Sequence, residues 1–587
     1  MKRAVAFPIS ALIVIAISGV ASFAVYQAGI EWFVQRPSIW VVVRNVAAVA
    51  VVLALGWGLI PSGGRTRRAE ALLLAAATLF GVGLAVQFRL GHDAPRQLTN
   101  AEIGAIRDSV HAAMSGATEA DLRREVSSIV RRRNGVLRRE FEASRIDTRL
   151  ARSLERAYGP TPETGHILDA REEAPSDNPL FRFLPVIAAV VLVGAVARFN
   201  LAQFLSVRWY LAGFYGSIGI CLLTLFYLIS TGGVRGANFA PQEMLKLSLP
   251  VAWAGFLIRY RDAFRAETRG RFARSPFVLW LYVLLLLSSP LLVFVLVRDF
   301  GQFLVISVAQ MLLLAYFTRS ALYVILFLAG TLASSAILLG GAIPGGAGLP
   351  VVLAIVVIAI IIAGALERFR TRDVLWTSAS LVLAGYAAAA FVAVQLPFVT
   401  RMLATPRQRF LLWADLYARH GDAAWWDRSR QIVESLYAFD AGGLMGHGLG
   451  YGTPFLIPKS ASDFIFAAIG EELGFAGAAM VILTVAVLAV IGLRIAHRLG
   501  GDSFSGLLVA GYTLLLVSQA FVHIAGTMNI LPMTGITLPL VSSGMSSLVV
   551  SWAMIGLILG LSARDADESG RMVIVGAPGK AKQERGN

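Results

Sequence analysis

Apolar runs long enough to cross a membrane recur along the chain, separated by short basic loops and two longer polar segments. A helix of about 20 apolar residues spans a bilayer, and lipid favours helices because every backbone polar group must be satisfied internally. The pattern therefore predicts an all-α polytopic integral membrane protein. About fourteen spans are expected at about 20 residues per crossing, at roughly 5–28, 38–61, 69–90, 181–198, 208–230, 243–258, 276–297, 302–317, 321–341, 350–366, 374–396, 464–493, 505–528 and 544–562.

The polar segments divide the chain further. Residues 91–180 are charged, and apolar positions at helical spacing follow Thr118, so we expect a helical insertion outside the membrane. Residues 397–463 form a large loop, also predicted to lie outside. From position 563 to the end at 587 the chain carries Gly and charged residues with few apolar ones, which predicts a disordered cytoplasmic tail.

Composition supports the membrane class and excludes others. The chain is 57% hydrophobic over 587 residues and carries a net charge of +16. That charge would suggest nucleic acid for a soluble protein, but here much of it lies in short loops, where it sets orientation. The basic loops then place both termini in the cytoplasm. Cys221 is the only cysteine, so an intrachain disulfide is impossible, and the seven histidines form no close ligand pair in sequence.

One carboxylate stands where the large outer loop re-enters the membrane. Asp463 follows Ser462 and precedes the apolar run that begins at Phe464. A charge near hydrocarbon is costly unless it faces protein or water, so Asp463 is a functional-site hypothesis. The alternative interpretation is an N-cap for the following helix, because Ser and Asp are both good capping residues.

The outer loop before Asp463 combines three residue types. Arginine suits phosphate recognition, tryptophan suits the membrane interface, and closely spaced glycines let a backbone approach a ligand. These residues describe a site for an amphiphile with an anionic head, and equally an interfacial loop anchored to lipid headgroups. They are Arg401, Arg407, Arg409, Arg428, Arg430, Trp413, Trp425, Trp426, Gly442, Gly443, Gly446, Gly448, Gly450 and Gly452.

Four ordered blocks resemble the SEDS family of RodA/FtsW/SpoVE-type proteins. They are RQIVES at 430–435, AGGLMGHGLG at 441–450, SDFIF with GEELG at 462–474, and LPMTGITLPLVSSG at 531–544. The resemblance implies a ten-helix peptidoglycan glycosyltransferase in the bacterial cytoplasmic membrane. Such a protein polymerises lipid II outside the membrane during elongation or division, paired with a class B penicillin-binding protein.

The resemblance also implies a domain layout. It covers 69–90, the first core helix, and 181–562, the remaining core. Residues 1–68 then supply two additional helices, and a hairpin near 321–366 supplies two more, about four beyond the ten-helix core.

Site roles follow from the same resemblance. Asp463 matches the family's essential loop aspartate and is expected to act as general base, and Arg409 is the first candidate to bind the diphosphate. Glu471 lies on the side of its helix that could share the cavity with Asp463, whereas Glu472 points away. The other substrate-binding candidates are Gln431, Ser435, Lys459, Asp299, Lys246 and Glu243.

Two of these assignments have structural alternatives. Glu243 and Lys246 are one helical turn apart, so they can neutralise each other, and packing is the favoured interpretation. Asp299 at a helix end is more often structural than functional.

The chain also departs from the family pattern. Lys459 and Ala461 stand where the family often has Glu and His, Arg298 replaces a proline, and His523 stands at an asparagine position. These changes bear on acceptor recognition and on metal use. A divalent cation such as Mg²⁺ or Mn²⁺ could bridge the diphosphate, although sequence does not place its ligands.

Two other classes of function remain open. A transporter of a lipid-linked precursor would also use an amphiphile cavity and intramembrane charges. A catalytically silent scaffold for a class B penicillin-binding protein would tolerate the replaced loop residues. An Asp463→Ala variant separates these classes, because a polymerase loses turnover, a scaffold keeps partner binding and a transporter keeps flipping.

Overall fold

The computed structural model describes residues 2–32, 39–59, 67–90, 215–220, 222–223, 241–259, 261, 299–319, 408–413, 416, 423–454 and 457–575. Within these ranges the regular structure is helical and contains no strand, as the hydrophobic pattern predicts. The long helices are α1 (Lys2–Trp32), α2 (Ile39–Leu59), α3 (Arg67–Leu90), α4 (Leu245–Arg259), α5 (Phe300–Thr318), α6 (Ala423–Gly442), α7 (Ile465–Arg498), α8 (Phe504–Thr527) and α9 (Met545–Val575). A 3₁₀ turn at Pro241–Met244 leads into α4.

Seven of the described helices are long and apolar enough to cross a membrane. They lie in α1, α2, α3, α5, α7, α8 and α9, and each matches a predicted span. The chain is thus a multi-pass membrane protein. Helix α4 covers the predicted span at 243–258 with 15 residues. Of the span predicted at 208–230, only 215–220 and 222–223 are described, and both are helical. The spans predicted at 181–198, 276–297, 321–341, 350–366 and 374–396, and the 91–180 insertion, lie outside the described residues.

Helix α8 occupies the centre of the bundle. It packs against α4, α5, α7 and α9, and 83% of its most apolar window is buried. A helix that is apolar around its whole circumference is suited to such a position. Helix α3 joins this core through α7 and α9, where the rings of Phe80 and Trp552 meet edge to face with centroids 5.8 Å apart.

The N-terminal pair α1 and α2 packs on α3. Asn45 donates through Nδ2 to Ser22 Oγ at 3.3 Å, and small residues let the helices approach closely, as is usual in membranes. Val25 of α1 and Val42 of α2 form a small apolar cluster with Leu449 of the glycine-rich loop, residues 442–452. We call this end of the bundle, which carries residues 443–464, the outer end.

Two features differ from the sequence expectation. The predicted outer loop 397–463 contains the 20-residue helix α6, which packs on α7. Helix α9 continues to Val575, so the predicted disordered tail cannot begin at Ala563. The extension contains Ala, Arg, Glu and Met, which are good helix formers, so a helix can continue after the membrane span has ended. Residues 576–587 lie outside the described ranges.

Candidate active site

Asp463 lies in a compact turn that precedes α7. The carbonyl of Lys459 accepts hydrogen bonds from the amides of Ser462 at 3.1 Å and Asp463 at 3.0 Å. Lys459 itself has a positive φ of 59°, which turns the chain sharply towards the helix. The turn holds Asp463 at the outer end, where its side chain is half-buried.

The capping interpretation of Asp463 is wrong. Helix α7 begins at Ile465, the cap position belongs to Phe464, and no side-chain hydrogen bond caps this end. The amides of Ala467 and Ala468 instead donate to the carbonyl of Phe464. Capping therefore does not explain why a carboxylate stands at position 463.

The segment 531–539 brings an arginine beside Asp463. Gly535 has a φ of +72°, and a methyl group on it would lie 3.4 Å from Asp463 Oδ2 and 3.7 Å from Arg409 Nη2. Arg409 sits in the short helix 408–413 and donates through Nη1 to Thr534 O at 2.6 Å. The chain thus places a carboxylate and a guanidinium close to the same face of one glycine.

The surroundings make Asp463 a stronger base than an exposed aspartate. Burial raises the pKa of its carboxyl above the usual range, and the nearby Asp299 carboxylate acts in the same direction. Lys459, a side-chain hydrogen bond with Ser462, and Arg409 oppose that rise in pKa. Burial is the largest of these causes, so the protein around Asp463 disfavours its charged form.

Asp299 has a structural role and also lies near the candidate site. It is the N-cap of α5, where its side chain accepts from the amide of Gln302 at 3.1 Å. That role is structural. It also lies near enough to influence the charge of Asp463.

A serine pair ties the Asp463 turn to the segment before α9. Ser542 donates through Oγ to Ser462 O at 2.7 Å and accepts from the amide of Leu538 at 2.8 Å. The amide of Ser543 donates to Ala461 O at 3.1 Å. Two turns distant in sequence are therefore fastened together at the site.

A family profile named for FtsW, RodA and SpoVE, described as "Cell cycle protein", matches residues 345–566. The matched stretch contains Asp463, Arg409, Gly535 and the serine pair. Over these residues the chain is similar to the FtsW/RodA/SpoVE family. Asp299, Glu243 and Lys246 precede the matched stretch.

Individual members of the FtsW/RodA/SpoVE family align with parts of the chain. "Peptidoglycan glycosyltransferase RodA" of Mycobacterium tuberculosis is 37% identical over 158 residues, which is 27% of this chain and 32% of the relative. "Probable peptidoglycan glycosyltransferase FtsW" of Hahella chejuensis is 29% identical over 327 residues, 55% of this chain and 63% of the relative. The match thus spans about a third of the mycobacterial protein. The crystal structure of RodA from Thermus thermophilus is 19% identical, covering 68% of this chain and 91% of that one, with a TM-score of 0.35.

Glu471, inside the family region, holds the glycine-rich loop. Its Oε1 accepts from the amide of Thr453 and from Thr453 Oγ1, the latter at 2.8 Å. Its carbonyl accepts from the amide of His447 at 3.2 Å. Gly446 is required here because a methyl group on it would lie 2.2 Å from Glu472 O. Glu471 was predicted to share the cavity with Asp463, and the structure directs its carboxylate to Thr453 instead.

The remaining candidates within the family region take different positions. Gln431 lies on α6 with Nε2 4.0 Å from Met533 Sδ, beside the segment that contacts Arg409. The Ser435 hydroxyl is buried, 2.9 Å from Thr527 O, and joins α6 to the end of α8. Lys459 is exposed and acts electrostatically on Asp463. Gln431 and Lys459 are therefore near the site, whereas Ser435 fastens helices together.

Glu243 and Lys246 form a buried pair inside the bundle. Lys246 Nζ lies 2.5 Å from Glu243 Oε2 and 2.7 Å from Gln519 Oε1. Gln302 Nε2 donates to the other oxygen of Glu243. Lys246 is 0% exposed, so its ammonium does not face a cavity open to substrate. The structure supports the packing interpretation of both residues over substrate binding.

Two residues that contact the segment 531–539 were not predicted from the sequence to belong to the site. Gln519 on α8 donates through Nε2 to Thr537 O at 2.8 Å, and His523 contacts Ile536 O through Nδ1 at 2.7 Å. His523 was noticed only as a departure from the family pattern. Gln519 had no sequence signal, because a lone glutamine in an apolar run does not reveal its partner.

Proposed function

We propose that this chain is a peptidoglycan glycosyltransferase that polymerises lipid II at the outer face of the cytoplasmic membrane. The names of its relatives support the activity. The single observation that carries the proposal is the placement of Asp463 and Arg409 together beside Gly535, at the outer end of a membrane-spanning bundle.

The chemistry needs a base and a positive charge. The 4-hydroxyl of an acceptor sugar attacks the anomeric carbon of the donor, and undecaprenyl diphosphate leaves. Asp463 removes the hydroxyl proton as the new glycosidic bond forms, and its surroundings favour the protonated product. Arg409 presents positive charge to the departing diphosphate, with one nitrogen fixed by Thr534 O so that the guanidinium keeps its place.

A divalent cation would fit this chemistry as a partner of the diphosphate. Among the described residues, no group of three or more His, Cys, Asp and Glu side chains is arranged to hold a metal. Asp463 and Asp299 are two carboxylates near one another, and the diphosphate oxygens would complete a ligand set. We therefore propose that an ion, where the reaction uses one, enters with the substrate.

Orientation in the membrane is proposed from the helix ends. Arg67 and Arg68 begin α3, Arg259 ends α4 and Arg498 ends α7. The opposite end of α3 contacts the site, because Gln87 Nε2 donates to Val541 O. These four basic residues lie at the end of the bundle away from Asp463, which supports a cytoplasmic location for that end and for both termini.

A class B penicillin-binding protein is the proposed partner, and labelled lipid II gives the test. Purified protein, alone and with the co-expressed partner, should form glycan polymer, and Asp463→Asn should abolish it with folding intact. A variant that keeps polymerising would remove Asp463 from the chemistry. Partner binding without polymer from the wild type would favour a scaffold, and flipping without polymer a transporter.

A further inference from the structure

The site segment around Gly535 is irregular backbone packed inside a bundle of membrane helices. Residues 532–539 have neither helix nor strand hydrogen bonds to hold them. Carbonyls in such a segment need other donors, because an unsatisfied backbone group away from water is costly. The donors that serve these carbonyls therefore decide where the segment lies.

Side chains from outside the segment supply three of those donors. Arg409 donates to Thr534 O, His523 to Ile536 O and Gln519 to Thr537 O. A carbonyl cannot donate, so the Nδ1 of His523 must carry the proton in its contact with Ile536. His523 and Gln519 are one turn apart on α8 and hold the segment from inside the bundle, whereas Arg409 holds it from the site.

The orientation of the Gln519 amide is fixed by its neighbours. Lys246 has donors and no acceptor, so it must face the Gln519 oxygen, at 2.7 Å. The amide nitrogen is thereby directed to Thr537 O at 2.8 Å and Ser547 Oγ at 3.1 Å. The buried pair Lys246 and Glu243 thus sets the direction in which Gln519 donates.

We infer that Gln519 and His523 are positioning residues for catalysis: from α8 they hold Ile536 and Thr537, and so keep Gly535 beside Asp463 and Arg409. This inference rests on the proposed function. Neither residue touches the reacting atoms, and both act through the backbone of the segment. A shift of about 1 Å in a catalytic group is enough to cost about 10²-fold in rate.

The test compares purified full-length variants by lipid II polymerisation and by hydrogen exchange of residues 531–544. Gln519→Leu and His523→Leu remove the donors, and His523→Asn keeps an N–H donor. Ser518→Ala is the matched control, because Ser518 is a buried neighbour on the same helix. The amides of Leu538 and Ser543, bonded to Ser542 Oγ and Ala461 O, report on the segment.

We expect both leucine variants to lower kcat about 10²-fold with KM for lipid II unchanged, and to speed exchange within 531–544 alone. His523→Asn and Ser518→Ala should resemble the wild type in both readouts. Exchange that stays slow in the leucine variants, or rises equally across all helices, overturns the inference. If the wild type itself makes no polymer, the proposed function fails while the exchange comparison still decides whether α8 holds the segment.

Discussion

Glu243 and Asp463 are carboxylates of the same helical bundle, but their surroundings differ. Glu243 is buried and paired with Lys246 and Gln302, so its charge is compensated on both oxygens. Asp463 is half-buried, and the surrounding protein raises its pKa. A buried charge with complete partners supports a structure, whereas a carboxylate held under unfavourable conditions is available for chemistry. The difference separates structural from functional charge better than position in the membrane does.

The largest effect of a single substitution is expected at Asp463. Asp463→Asn should lower polymerisation by about 10²- to 10⁴-fold, the usual contribution of a general base. The same variant should melt at a slightly higher temperature than the wild type at neutral pH, because it removes an ionised group whose charged form the fold disfavours. Polymerisation assays and thermal unfolding in detergent check the two halves, and a large loss of stability would contradict the assignment.

Glu243 should behave in the opposite way when its partner is removed. Lys246→Met leaves a buried carboxylate without its cation and should cost about 3–5 kcal/mol of stability. The double variant Lys246→Met with Glu243→Gln removes both charges and should recover most of that loss. Thermal unfolding of the single and double variants gives the measurement. Equal instability of both would show that charge compensation is not what the pair provides.

The pH dependence of polymerisation distinguishes the two carboxylates further. Asp463 must be ionised to accept a proton, and its pKa is raised. The rate should therefore fall about tenfold per pH unit below that pKa, and the fall should begin at a higher pH than for an ordinary aspartate. A Glu243→Gln variant serves as the control, and its profile should keep the same midpoint. A midpoint that moves in this control would assign the titration elsewhere.

The smallest expected effect lies at Ser435, which the structure places with the structural groups. Ser435→Ala removes the hydroxyl between α6 and the carbonyl of Thr527, and should cost about 1 kcal/mol of stability. Polymerisation per folded molecule should not change. Gln431→Ala is the contrasting variant, because Gln431 lies beside Met533 near the site. A selective loss of activity at Ser435 would return it to the substrate-binding group.

Sequence predicted the helices well and the contacts between them poorly. The spans expected at 69–90 and 505–528 appear at Arg67–Leu90 and Phe504–Thr527. The length of an apolar run can be read directly from consecutive residues, so such spans are predictable. The approach of Gly535 to Asp463 depends on how α7 and α8 pack on each other, because Asp463 precedes α7 and Gly535 follows α8. The hydrophobic periodicity of the sequence does not predict such a long-range contact. The family resemblance supplied both positions, but it did not show that Gln519 and His523 of α8 contact the segment that carries Gly535.

The hydrogen bonds from Ser542 and Ser543 to the Asp463 turn have a consequence for how the protein is made. Synthesis proceeds from the N-terminus, so the turn that carries Asp463 emerges before the residues that hold it. The carbonyls of Ser462 and Ala461 can be bonded only after Ser542 and Ser543, which lie just before α9, have been synthesised. A nascent chain that has inserted α7 but lacks residues 542–543 therefore lacks the contacts that hold the Asp463 turn. The proposed catalytic centre would be complete only after α8 and the segment before α9 have been made.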